Sequence, residues 1–131
     1  MEKNIKWHLE SRRLGDLIPA PWNARKISRF GKSWLKESVN SFGVPRLITI
    51  NQNNHIIGGH QLCSILIQEH GPDAMVEVLV ADRLLSEAEH KQLSVKLNVS
   101  AGEWDTEMLG KHFEKDELLD WGISEKMLKS W

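Results

Sequence analysis

The sequence predicts an α/β (α+β) fold of alternating strand-like and helical elements with a helical C-terminal third. Three observations predict it. Short apolar or alternating runs are interleaved with segments of helical spacing through residues 1–82. Residues 83–131 carry helix-start signals and no strand-like run. In between, the strand-like run His55-Ile56-Ile57 meets Gly58-Gly59 and turns directly into the apolar helix His60-Gln61-Leu62-Cys63-Ser64-Ile65-Leu66. At 131 residues the chain reads as a single domain, residues 1–131, with a mixed core over 1–82 and a helical extension over 83–131.

The elements follow in order. Residues 5–10 alternate apolar and polar, as a half-buried strand does. Residues 14–20 form a short irregular stretch with prolines at 19 and 21. Ile27, Phe30, Trp34, Leu35, Val39 and Phe42 recur at helical spacing, and Gly43 is placed to stop that helix. Residues 47–50 read as a buried strand, 51–54 as a turn and 55–57 as the returning strand of a hairpin. A helix over residues 59–70 closes at Gly71-Pro72, and residues 76–80 make a further strand. Ser86 followed by Glu89 matches a capping box and opens a helix to Asn98. Asp105 caps the next helix, whose packing Leu118, Leu119 and Trp121 are expected to continue. Trp34 and Trp121 fit helix faces as core residues, and Trp104 is placed to staple the loop before its helix.

Composition narrows the function classes. No apolar stretch approaches the ~20 residues that span a bilayer, and no signal-type segment follows Met1, so a cytoplasmic protein without a membrane role is expected. The single cysteine, Cys63, excludes an internal disulfide and a cysteine-cluster metal site. Net charge is −1 but unevenly spread: residues 1–46 hold ten Lys/Arg against four Asp/Glu, and residues 47–131 hold seven against fourteen. A basic first third suits a polyanion, and two mutually neutralising solvated faces are the bland alternative. Trp22, Arg25, Lys26 and Arg29 are the nucleic-acid-binding candidates, with Trp22 placed either to stack on a base or to pack at the sheet edge.

The Gly58-Gly59-His60 turn carries the other candidate chemistry. The free N–H groups and dipole of a helix N-terminus attract anions, and glycines let a phosphate come close. His60 can add a hydrogen bond or a charge there, can serve as a structural turn contact, and is the one candidate for general acid–base catalysis. A metal-dependent nuclease or phosphotransferase needs acidic ligands around it. The six histidines show no close ligand spacing, and no metal site is expected from them.

Leu17 to Lys26, Leu35 to Val44, Ile56 to Gln61, and Leu85 to Glu89 with Asn98 and Gly102 to Asp105 are four stretches that, in this order and spacing, resemble the ParB N-terminal domain of the ParB/sulfiredoxin superfamily. Leu17-Ile18-Pro19-Ala20-Pro21-Trp22-Asn23-Ala24-Arg25 resembles its opening "L-x-P-x-P-x-N-x-R" segment. Leu35 to Val44 resembles its "L-x-x-S-I-x-x-x-G" helix end, and Ile56-Ile57-Gly58-Gly59-His60-Gln61 its "I-I-x-G-H-x-R" turn. Leu85-Ser86-Glu87, then Asn98 and Gly102-Glu103-Trp104-Asp105, resembles the tail of a phage and mobile-element branch associated with DNA methyltransferases. The resemblance implies a compact α/β domain with a small mixed sheet and surrounding helices, serving as a nucleotide-phosphate-binding or DNA-associated module, with CTP or ATP and magnesium as cofactors and DNA or a DNA methyltransferase as partners. It implies that Gly58, Gly59, His60 and Gln61 form the phosphate turn, that Arg25 adds a charge and that Asn98 closes the site with magnesium. Two departures count. Leu62 stands where the family has an arginine, which favours a ParB-like interaction module without nucleotide binding as the alternative, and invites Leu62→Arg as a way to restore affinity. Gly59 stands where sulfiredoxin carries its cysteine, so that activity is not expected. Gly59→Ala is expected to weaken phosphate binding without unfolding the domain.

Overall fold

A computed structural model describes residues 4–23, 29–44, 46–99 and 105–125. The alternating run at the start forms β1 (Trp7–Arg13), which begins two residues later than its pattern and continues through the charged Ser11-Arg12-Arg13. It does so because β4 (Met75–Ala81) lies antiparallel to it along its whole length, so backbone pairing carries the strand past the end of its apolar alternation. A one-turn 3-10 helix, Leu14–Asp16, follows, and then α1 (Arg29–Phe42). The hairpin predicted around the asparagine-rich turn is β2 (Ile48–Ile50) and β3 (Ile56–Gly58), and α2 (His60–His70) leaves β3 after one residue. Asn54 takes the left-handed conformation in that turn, with φ 70°. The sheet order is β1-β4-β2-β3, with β4 and β2 parallel and the other pairs antiparallel.

The sheet separates two apolar clusters, and strand alternation assigns each residue to its side. Ile48, Ile50, Ile56, Val78 and Val80 pack with Val39 of α1 and with Leu62, Cys63 and Leu66 of α2. Ile57 and Ala81 join Leu85 and the flanking Trp7 and Leu93 on the side of α3 (Glu87–Val99). Each fully buried Leu or Ile contributes about 1.5–3 kcal/mol. Cys63 behaves as a small hydrophobe, 3% exposed, its thiol pushed up by burial. The buried Asn51 ties these parts together: its Nδ2 donates to the Leu85 carbonyl at 3.0 Å, and its Oδ1 accepts from Leu85 N–H at 2.9 Å.

Residues Met1–Val99 form one compact unit and Ser100–Trp131 another. In the second, α4 (Thr106–His112) is capped as expected, the Asp105 carboxylate accepting from Met108 N–H at 3.1 Å. The chain then breaks at Phe113 and restarts as a separate helix, α5 (Lys115–Asp120), whose Leu118 and Leu119 pack with Leu109. Trp121 is not core: it is 59% exposed and meets Phe113 edge-to-face. It follows the end of α5, so the helical spacing that assigned it an inner face no longer applies. Trp104 and residues 126–131 lie outside the described residues.

Candidate functional site

The segment after the 3-10 turn crosses to the far side of the sheet and adds Ile18 in parallel to the free edge of β3. Ile18 N–H donates to the Asn54 carbonyl at 2.9 Å, and Ile56 N–H donates to the Ile18 carbonyl at 2.8 Å. This carries Ala20, Trp22 and Asn23 past the end of β3, where α2 begins. A cavity of about 360 Å³ opens there, walled by Trp22, Gly58, Gly59, His60 and Gln61 on one side and by Lys91, Ser94 and Leu97 of α3 on the other. Its volume falls in the range of small-molecule sites. None of the described residues lining it is an aspartate or glutamate.

Gly59 is the N-cap of α2, with φ 95°, and no side chain caps this helix. A Cβ at Gly59 would lie 3.2 Å from Ile48 Cα and Cγ1, so both backbone conformation and close packing against β2 demand glycine. Gly58 is different: a Cβ there meets Leu97 Cδ1 at an ordinary 3.8 Å. Gly59→Ala is therefore a stability mutation, not the clean probe of phosphate binding that the sequence suggested, and Gly58 is the position to test.

His60 is a tether. Its Nε2 accepts the Ala20 backbone N–H at 3.1 Å, which requires the ring proton on Nδ1. Burial, helped by the nearby His90 ring, lowers its pKa below the usual 6.5, so the ring is neutral at pH 7 and contributes no positive charge to the turn. The role its geometry defines is to hold the crossing segment against the start of α2. His90, which the sequence did not single out, is 1% exposed and donates from Nε2 to the Ile56 carbonyl at 3.1 Å. Its pKa is also lowered by burial.

Trp22 packs between elements. Its ring meets His90 edge-on, 4.9 Å between centroids, and Lys91 Nζ lies 5.2 Å over the ring. The indole Nε1–H is buried with no acceptor among the described residues. Packing at the sheet edge thus describes Trp22 better than an open stacking platform. The remaining expected residues divide. Gly58, Gly59, His60 and Gln61 come together at the cavity, and Arg29 is exposed at the start of α1. Asn98 lies in α3 with its side chain outside the described residues, and Arg25 and Lys26 lie outside them altogether. Leu62 is a core residue, 8% exposed, packed among Ile48, Cys63 and their neighbours. Sequence reasoning missed Lys91 and Ser94, since one turn of a charged helix gives no sign that it faces a cavity.

The basic first third is partly self-neutralised. Arg12 pairs with Glu10 at 2.7 Å, Arg13 with Asp73 at 2.6 Å, and Lys36 with Glu69 at 3.2 Å. Among the described residues, no group of three His, Cys, Asp or Glu side chains is placed to hold a metal ion. No helix of the described residues is long and apolar enough to cross a membrane.

No protein-family model matches the sequence, and no curated protein matches it. Solved structures do. The fold is similar to a Pnob8-like ParB-N domain, at TM-score 0.63 and 14% identity, covering 80% of this chain and 42% of that one. It is similar to the C-terminally truncated chromosome-partitioning protein ParB from Caulobacter crescentus, complexed with CTP-γ-S, at TM-score 0.64 and 15% identity, covering 92% of this chain and 74% of that one. The chain therefore spans less than half the length of the first of these and shares the ParB N-terminal fold with both.

Proposed function

We propose that this chain is a ParB-like module that takes a nucleotide phosphate at the start of α2. The observation that carries the reading is an uncapped helix N-terminus facing a cavity with one lysine and no carboxylate in its described lining. Such a site favours an anion through backbone N–H groups and the helix dipole. Lys91, whose exposed pair with Glu87 at 3.0 Å a phosphate can replace, adds a charge at the rim, and the Trp22 indole N–H, without an acceptor among the described residues, can gain one from a ligand. The ParB in complex with CTP-γ-S has the same fold, which makes CTP the first nucleotide to test and ATP the second. The described lining fits the phosphate but supplies no carboxylate for a protein-held magnesium, so magnesium would arrive as the nucleotide's counter-ion. Work beside a DNA methyltransferase, in the cytoplasm of a cell carrying a phage or mobile element, is the biological setting this reading suggests.

The test is a calorimetric titration of wild type, Gly58→Val and Lys91→Ala with CTP and ATP, with and without magnesium. Valine suits the extended backbone at position 58 and fills the space towards Leu97. At least a tenfold loss of affinity in Gly58→Val, with thermal stability kept, is expected. Binding unaffected by either substitution overturns the site. A wild type that ignores both nucleotides overturns the reading and favours the interaction-module alternative that the missing arginine at position 62 suggested.

A further inference from the structure

A second concavity adjoins the first. Between α1 and α2 runs an open groove of about 920 Å³, and it shares Asn23, His60 and Gln61 with the cavity. Two side-chain stripes face it. On α1, Lys32 and Lys36 lie one turn apart, and Arg29, exposed three residues before Lys32, extends the row. On α2, Gln61, Ser64 and Gln68 repeat the same spacing of three and then four residues. One wall is cationic, the other offers neutral hydrogen-bonding groups, and no carboxylate is among the described residues lining the groove. Lys32 has no ion-pair partner among the described residues. Lys36, itself exposed, has the half-buried Glu69 at 3.2 Å, and a phosphate competes with that carboxylate for the ammonium.

We infer that the groove between α1 and α2 is a track for the phosphodiester backbone of single-stranded nucleic acid. This deepens the phosphate site proposed above: a strand lays its phosphates along Lys32 and Lys36 and presents one nucleotide to the cavity beyond His60. Polar neutral residues opposite a cationic row suit a flexible polyanion whose phosphates accept from amides and hydroxyls as well as from lysine. A duplex fits poorly, because its bases are stacked inside and must be flipped out to enter a side cavity. A strand with unstacked bases needs no such step.

Fluorescence anisotropy with a labelled oligothymidylate about a dozen nucleotides long, the corresponding duplex, and unlabelled CTP as a separate titrant tests this. Lys32→Glu and Ser64→Glu are exposed substitutions at helix positions. Each is expected to weaken single-strand binding at least tenfold while changing CTP affinity less than threefold. Lys32→Ala should lower the slope of log affinity against log salt by about 0.7, the value for one phosphate contact on a single strand. Glu69→Gln, which releases Lys36, should tighten single-strand binding two- to threefold. Single-strand affinity unchanged in both glutamate variants overturns the track, as does duplex binding at equal or higher affinity. Strand binding that survives when the wild type ignores CTP leaves the groove standing and removes the cavity. CTP binding without any strand binding does the reverse.

Discussion

Two helices of the first unit begin in opposite ways. At α3, Ser86 Oγ accepts the Glu89 N–H at 3.2 Å, and the Glu89 carboxylate accepts the Ser86 N–H at 3.0 Å. Arg83 grips the same carboxylate at 2.6 Å and, with the Ser86 N–H, holds its pKa down to about 2. The positive end of that helix is answered by its own sequence. At α2 the chain arrives through Gly58-Gly59, no side chain caps the first turn, and no acidic residue lies in it. A capped start is worth about 1 kcal/mol of helix stability, and α2 goes without it while facing a cavity. The difference separates a helix start closed by its own side chains from one left uncapped, where we propose that an anion binds, and it is open to direct attack by mutation.

The largest effect is expected where the sequence suggested a gain. Leu62→Arg places a charge among Ile48, Cys63 and Leu66 in the first turn of α2. Burying an unpaired cation costs at least about 3 kcal/mol, so urea unfolding should show a sharply lowered midpoint and no recovered nucleotide affinity. A stable Leu62→Arg that binds CTP more tightly would mean that position 62 faces the ligand, and that the open start of α2 had lost a cation rather than never needed one.

Gly59→Ala comes next. A left-handed backbone costs an alanine about 1–2 kcal/mol, and its Cβ also meets the Ile48 backbone at 3.2 Å. Thermal unfolding should show a loss of about 2 kcal/mol, against almost none for Gly58→Ala, whose Cβ has 3.8 Å to its nearest neighbour. Equal stability of the two would mean that the turn does not need Gly59, and the geometric reason for an open helix start would fail.

Much of this contrast was legible in the residues. Ser86 and Glu89 announce a capping box whatever surrounds them, because the interaction is local. The Gly58-Gly59 turn and the order of strands and helices in the first unit were equally readable from spacing. What could not be read was set by distant partners. The Ala20 N–H that occupies His60 Nε2 comes from forty residues away, and it turns a candidate cation into a neutral tether. The residues left Trp22 between stacking on a base and packing at the sheet edge, and His90 and Lys91, brought against it from α3, favour packing. The length of β1 followed from pairing with β4, which no local pattern reports. Local signals thus marked the candidate site, while the state of each side chain within it depended on the fold.

The smallest effect concerns the closed helix start. Ser86→Ala removes one half of the reciprocal cap and should cost about 1 kcal/mol, a fall of about 3–5 °C in melting temperature, with nucleotide and strand affinity unchanged. The pH dependence sharpens it. Glu89 ordinarily titrates near 4.5 and in the fold near 2, depressed first by Arg83 and then by Ser86. A depressed carboxylate contributes stability that is fully present above its unfolded pKa and is lost as pH falls through the folded one. The stability gap between wild type and Arg83→Gln should therefore be full at about pH 6 and close progressively below about pH 4.5. Denaturant midpoints across that range measure it. A gap that stays constant would mean that Arg83 acts by packing its stem over the start of α3 and not by holding the carboxylate charged. The electrostatic half of the contrast with α2 would then fall, leaving only the hydrogen bonds of the cap.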